Sequence, residues 1–149
     1  MKYSVYIKKP DDFTSTREAA GCYCEWQDKI LLLKRNSDKE QGNTWGIPGG
    51  KIDFGENARM AVIREVSEEV ALYIDDEGLL ELGKLYCRLP HVDYIFHVFR
   101  KRFFEQPNII LGLDEHCEAR WVTPTEALQL PLIAGGIEAL EFYREKSNL

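Results

Sequence analysis

Apolar and polar residues alternate in several short runs of this chain, and a period of two is what a strand with one buried face requires. Val5 to Ile7, Glu18 to Trp26 and Ile30 to Arg35 read as strands. The second carries Ala20, Cys22, Cys24 and Trp26 on one side, and Gln27, Asp28 and Lys29 form the turn of a hairpin into the third. Two longer runs, Leu79 to Leu89 and Val92 to Phe103, read as strands joined near Pro90 and His91; in the latter, Val92, Tyr94, Phe96 and Val98 alternate with Asp93, Ile95, His97 and Phe99. Ala119 to Val122 adds a short strand. The period changes between Ala58 and about Leu72, where Ala58, Ala61, Val62, Val66 and Val70 recur at spacings of three and four, the signature of a one-sided helix with Asn57 as its cap. Thr123, Pro124, Thr125 and Glu126 make a capping box with proline at the first helical position, and Ile137, Leu140 and Tyr143 stripe the last helix. Asn36 to Thr44 and the stretch around Gln106 to Glu118 hold neither period and read as loops. Strands first, with helices between and after them, imply an α+β fold in which helices pack on a mixed β-sheet.

Composition narrows this picture. A chain of 149 residues is the size of one domain, 1–149, that buries about two thirds of its unfolded surface without staples. Its 44% hydrophobic and 30% charged residues exclude disordered and fibrous classes. No apolar run reaches the ~18 residues of a membrane span, and the alternation from Met1 to Lys9 is unlike a secretory leader, so a cytoplasmic protein with no membrane partner is expected. The net charge of −6 and the lack of a Lys/Arg run disfavour nucleic acid as a partner. An anionic substrate would therefore need positive charge supplied at the site, most simply by a divalent cation. Cys22, Cys24, Cys87, Cys117, His91, His97 and His116 show no paired metal spacing, and the cysteines are expected to be buried, reduced thiols.

The strongest chemical signal is acid on the first helix. Glu65, Glu68 and Glu69 stand at i, i+3 and i+4, on one face, with Cβ atoms roughly 5 to 6 Å apart. Three anions so close repel one another, and Arg64 alone cannot neutralise them, so the face is either a solvated acidic surface or half of a metal site. Carboxylate oxygens are hard ligands that suit Mg²⁺ or Mn²⁺. The approach to the helix shifts the balance toward the second reading. Trp45, Gly46, Ile47, Pro48, Gly49, Gly50 and Lys51 force tight backbone geometry that can bring main-chain groups close to a metal or phosphate, and Glu56 adds a carboxylate at the helix start.

Gly50, five residues, Glu56, seven residues and then Arg64-Glu65-Val66-Ser67-Glu68-Glu69-Val70-Ala71-Leu72 resembles the Nudix box of Nudix hydrolases. The departure is Ala71, where the family usually has glycine; alanine favours continuing the helix, which bears on the exit from the box. The Trp45 to Gly50 approach, the Arg120-Trp121-Val122 strand and the capped Thr123 to Leu128 helix also look like the family's arrangement.

The resemblance implies an α/β/α sandwich on a mixed sheet and hydrolysis, by water attack at phosphorus, of a nucleoside diphosphate linked to another group. It implies Glu65 and Glu69 as leading metal ligands, Glu68 as a further ligand or the base, and Gly50, or failing that Gly49, as a carbonyl ligand. Arg64 would orient the glutamates by pairing with Glu56 or Glu68. Glu115 and Glu118, in the loop before Trp121, are alternative bases. Arg35 and Lys51 are the cations placed to meet the pyrophosphate, and Trp26, Trp45, Tyr23, Tyr94, Phe96 and Phe99 are available to a nucleobase. A nucleoside triphosphate is the first expectation for substrate and an NDP-sugar such as ADP-ribose, to which Pro90 points, the second. A nucleotide-sensing module without turnover should show losses in the box, yet Glu56, Arg64, Glu65, Glu68 and Glu69 are all present. The family also suggests a homodimer, although no sequence feature marks an interface.

Overall fold

The computed structural model describes residues 2–15 and 17–148. In chain order they form β1 (Ser4–Tyr6), β2 (Arg17–Trp26), β3 (Lys29–Arg35), β4 (Trp45–Gly46), β5 (Gly49–Lys51), α1 (Ala58–Val70), β6 (Leu80–Leu89), β7 (Val92–Phe103), β8 (His116–Val122), α2 (Pro124–Ala127) and α3 (Gly136–Lys146).

β2 organises the sheet. It runs parallel to β7 from Arg17 opposite Tyr94 to Trp26 opposite Phe103, while the pairs β1/β6, β6/β7 and β2/β3 are antiparallel, so the sheet is mixed. On the other side of β2 the partners change along its length. Ala19 to Gly21 pair with β5, whereas Glu25 and Trp26 pair with Lys29 and Ile30 of β3. Beyond that hairpin end, β3 takes β4 beside Leu33 and Lys34, and β8 along Ile30 to Arg35. The sheet thus forks, with β2 and β5 on one branch, β3 and β4 on the other, and Ile47 and Pro48 crossing between them.

Both faces of the sheet are covered. The ILLL run of β3 divides by the strand period: Leu31 and Leu33 pack with Cys22, Cys24, Phe99 and the Val62, Val66 and Val70 stripe of α1, while Ile30 and Leu32 pack on the opposite face with Tyr23, Leu85, Val98, Leu140 and Tyr143. Helices on both sides make the α/β/α sandwich that the resemblance implies. The α3 layer is tied to the sheet by a buried polar group. Glu25, 3% exposed, accepts from Arg100 Nε at 2.7 Å, from Arg102 Nε at 3.2 Å and from the Tyr143 hydroxyl.

Several boundaries differ from the sequence reading. The glycine turn contains strands, because Gly49 to Lys51 have a free edge of β2 to pair with. β8 begins at His116 rather than Ala119, since its pairing with β3 continues past an irregularity at Lys34 and Arg35. The stripe of α3 is Ala139, Leu140, Phe142 and Tyr143, and Ile137 is exposed at the first turn. Cys22, Cys24 and Cys87 are buried and free as expected, but Cys117 faces outward.

The helix exit is the sharpest correction. α1 stops at Val70, and Ala71 adopts the left-handed conformation, φ 58° and ψ 32°, with its N–H donated to the Ser67 carbonyl at 3.0 Å. Alanine here takes the backbone state that glycine occupies at helix ends. The cause is tertiary: Leu72 and Ile74 are buried in the α1 core, and the last carbonyls of α1 accept from the Ile110 and Gly112 N–H groups, at 3.0 Å on Val70 and 2.8 Å on Glu69. Among the described residues no helix is long and apolar enough to cross a membrane.

Candidate active site

The phase of α1 is set at its start, where Asn57 Oδ1 accepts the Met60 N–H at 2.8 Å. From that origin Arg64, Glu65, Glu68 and Glu69 fall toward β5 and the loop that follows it. Arg64 is the hub. Its guanidinium binds Glu56 through two parallel bonds, Nε to Oε2 at 2.7 Å and Nη2 to Oε1 at 3.0 Å, and donates from Nη1 to Glu65 at 2.9 Å and Glu68 at 3.3 Å. It also reaches the Lys51 carbonyl at 3.1 Å and the Asp53 carboxylate at 3.4 Å. Arg64 holds the Glu56 carboxyl below the usual carboxylate range. The expected pairing of Arg64 is with Glu56 or Glu68; it pairs with both and with Glu65.

Two glycines bring the sheet against these acids. A Cβ on Gly50 would stand 2.6 Å from the Glu65 carboxyl carbon, so only glycine leaves Glu65 its place. Gly49 donates its N–H to Glu69 Oε1 at 2.8 Å, and a side chain there would strike the Ala20 carbonyl. Glu69 is only 8% exposed, and burial pushes its carboxyl up to about 8, with the charges of Glu65, Glu115 and Glu68 adding to the rise and the Gly49 bond opposing it. Burial also raises Glu65. The acids at the centre of the site are short of positive charge.

A third element closes on them. The Gly112 contact with the Glu69 carbonyl leads the chain through a turn that sets Glu115 and His116 beside Glu69, so that one ligand atom from each of the three lies within 4.8 Å of the others. Glu115 is exposed, whereas His116 is buried, and that burial holds its imidazole below the usual histidine value. Among the described residues this is the one group of His, Cys, Asp and Glu side chains close enough to hold a metal ion together. Hard carboxylate oxygens dominate the donors around it, which fits a divalent cation of the Mg²⁺ or Mn²⁺ kind.

Glu69 and His116 border a cavity of about 240 Å³ that enters the fork of the sheet. Tyr23, Trp45, Tyr94 and Phe96 contribute aromatic walls, and Glu69, Gly49, Gly50, His116 and Arg35 stand on its lining. Arg35 is anchored by donating Nε to the Glu40 carbonyl at 2.8 Å. Lys51 is not brought here; it is exposed and borders a shallower depression with Arg17, Glu18 and Asp53. Glu118 is likewise elsewhere, paired with Arg120 at 2.7 Å. Trp26 packs edge-on to Trp121, and Phe99 is sealed in the α1 core. The sequence reading missed His116 because its partners in space are remote in sequence; the signal available was its place beside an acid at the end of a loop.

A family model described as the NUDIX domain matches residues 15–144. The chain belongs to the Nudix family. This Nudix hydrolase is 39% identical, over 139 residues, to the uncharacterized Nudix hydrolase YvcI of Bacillus subtilis, a match covering 91% of the chain and 84% of the relative. It is 29% identical over 130 residues to the CTP pyrophosphohydrolase of Escherichia coli, covering 85% of the chain and 90% of that protein. Its fold matches the crystal structure of a MutT Nudix hydrolase from Burkholderia pseudomallei with a TM-score of 0.72 and 26% identity, over 84% of this chain and 95% of that one. As a Nudix hydrolase the protein is a pyrophosphohydrolase, an enzyme of phosphoanhydride bonds.

Proposed function

We propose that this Nudix hydrolase acts on a nucleoside triphosphate, adding water to release a nucleoside monophosphate and pyrophosphate. The observation that carries this reading is the aromatic cavity of about 240 Å³, which opens directly onto Glu69, Gly49 and Gly50. That space suits one nucleobase with its sugar, and it leaves the attached phosphates beside the acids of α1 and the Arg35 guanidinium. The similarity to a CTP pyrophosphohydrolase supports the same substrate class.

Glu65 and Glu69 serve as the leading metal ligands, with the Gly50 carbonyl as a further donor and Mg²⁺ or Mn²⁺ as the cation. The cradle fits: Gly50 leaves room for the Glu65 carboxylate, and burial has left Glu69 without a compensating positive charge. When bound, such a cation neutralises phosphate oxygens and favours ionised water. The protein supplies the rest. Arg64 holds Glu56, Glu65 and Glu68 in a fixed array, the aromatic walls orient the base, and Arg35 meets the phosphates. Glu68, whose side chain is 58% exposed, receives the proton of the attacking water as the new oxygen–phosphorus bond forms and the anhydride bond breaks.

The test is product release from a panel of nucleoside triphosphates, NDP-sugars and dinucleotides with Mg²⁺ or Mn²⁺, beside Glu65→Gln and Glu69→Gln. Metal-dependent pyrophosphate release from a triphosphate is expected, with nearly all turnover lost in both variants and their circular dichroism unchanged. Turnover confined to an NDP-sugar would overturn the substrate, and full activity in both variants would overturn the ligand assignment.

A further inference from the structure

The box accounts for Glu65, Glu68 and Glu69, but it does not account for His116. This imidazole is 7% exposed, borders the catalytic cavity and, among the described residues, makes no side-chain hydrogen bond. Since the one sealed and unpartnered side-chain polar atom among the described residues is the Ser147 hydroxyl, the ring nitrogens of His116 stay open to the cavity. Its nearest ligand-bearing neighbours are Glu69 and Glu115, all three within 4.8 Å. Three donors held about 2.1 Å from one ion stand roughly 3 to 4 Å apart, so a movement of one to two ångströms, available to the exposed Glu115, would bring the three onto a shared cation.

We propose that His116 is a nitrogen ligand of a divalent cation held jointly with Glu69 and Glu115, and that this position makes the enzyme favour Mn²⁺ over Mg²⁺. The inference deepens the proposed function and rests on Glu69 being a metal ligand. Its chemistry follows from donor type. Mg²⁺ prefers oxygen and keeps its waters, whereas an imidazole suits a borderline transition ion. His116 is also fixed from two sides: β8 pairs it with Arg35 of β3, and the Gly112 to Glu69 bond anchors the preceding turn. A ligand on a paired strand is better placed to select geometry than one on a mobile loop.

The full-length apoprotein, titrated with Mn²⁺ and followed by the electron paramagnetic resonance of the free ion, gives affinity and number of ions bound. Pulsed resonance on the bound ion then reports directly whether a nitrogen is attached. We expect imidazole nitrogen modulation in the wild-type protein that changes frequency on ¹⁵N-histidine labelling and disappears in His116→Gln. Mn²⁺ affinity should fall at least about 10-fold in that variant, while Mg²⁺ affinity, read by competition, changes less than about threefold. Should His116→Gln fail to fold, the labelled wild-type spectrum decides alone. Bound Mn²⁺ with no nitrogen coupling, or with coupling that persists in a folded His116→Gln, overturns this proposal and leaves the carboxylate site standing. No bound Mn²⁺ overturns both.

Discussion

Replacing Ala71 with glycine should make the protein more stable. Ala71 ends α1 at φ 58°, in a region where the Cβ of an L-residue crowds the following carbonyl, at a cost of about 1–2 kcal/mol. Its methyl group is exposed, so removing it sacrifices no packing. Against the gain stands the greater freedom of glycine in the unfolded chain, about 0.4–1 kcal/mol. The net is a stabilisation of about 0.5–1 kcal/mol, which for a chain of this length raises Tm by roughly 1–4 °C. The measurement is thermal and urea unfolding of wild type and Ala71→Gly in chelator, so that metal binding does not enter. Ser67→Gly is the matched control, one turn earlier, exposed and in the right-handed region, and it should lower stability by about 0.5 kcal/mol. An Ala71→Gly protein that melts at or below the wild-type temperature would refute the reasoning, because the backbone at position 71 would then carry no strain for glycine to relieve.

Further outcomes follow from the same structure. Gly50→Ala places a Cβ 2.6 Å from the Glu65 carboxyl and should abolish most turnover while shifting Tm little, since Glu65 can swing toward solvent; unimpaired activity would show that the close approach is not needed. In chelator, Glu69 keeps its proton in the native state up to about pH 8, whereas the unfolded chain releases it near its ordinary value of 4.5, so its stabilising neutral form is fully present below that value and is lost as pH rises toward 8. The wild-type Tm should therefore fall more steeply between pH 5 and 8 than that of Glu69→Gln, and parallel curves would count against it. Glu25→Ala leaves Arg100 and the Tyr143 hydroxyl without their acceptor and should cost about 3 kcal/mol of stability, measured by urea unfolding, with KM unchanged.

The sequence was most legible where neighbours in space are neighbours along an element. Arg64, Glu65, Glu68 and Glu69 share a helix whose start is marked by Asn57, so helical geometry alone places them together, and Glu56 is close enough in the chain to join them. The hairpin of β2 and β3 and the capping box of α2 were readable for the same reason. What escaped was decided by tertiary contact. His116 meets Glu69 only because the Gly112 N–H caps the end of α1. Lys51 and Arg35 looked equivalent as cations, but the three-residue β5 is too short for a period to say which way its side chains face. The conformation of Ala71 is imposed by the burial of Leu72 and Ile74, against its own helical preference.

The division of the apolar interior into two clusters that share no side chain has a consequence for how such an enzyme can change. The acids ride on a helix anchored to one face of the sheet, and the aromatic recess beside them is walled largely by residues rooted in the other. A substitution among Tyr94, Phe96 or Leu85 alters what the recess accepts without disturbing the Val62, Val66 and Val70 stripe that holds the carboxylates in register. The faces communicate where the partition lacks side chains, at Gly49 and Gly50. Substrate preference is therefore free to drift while the hydrolytic apparatus stays in place, and those two glycines are the positions where the freedom stops.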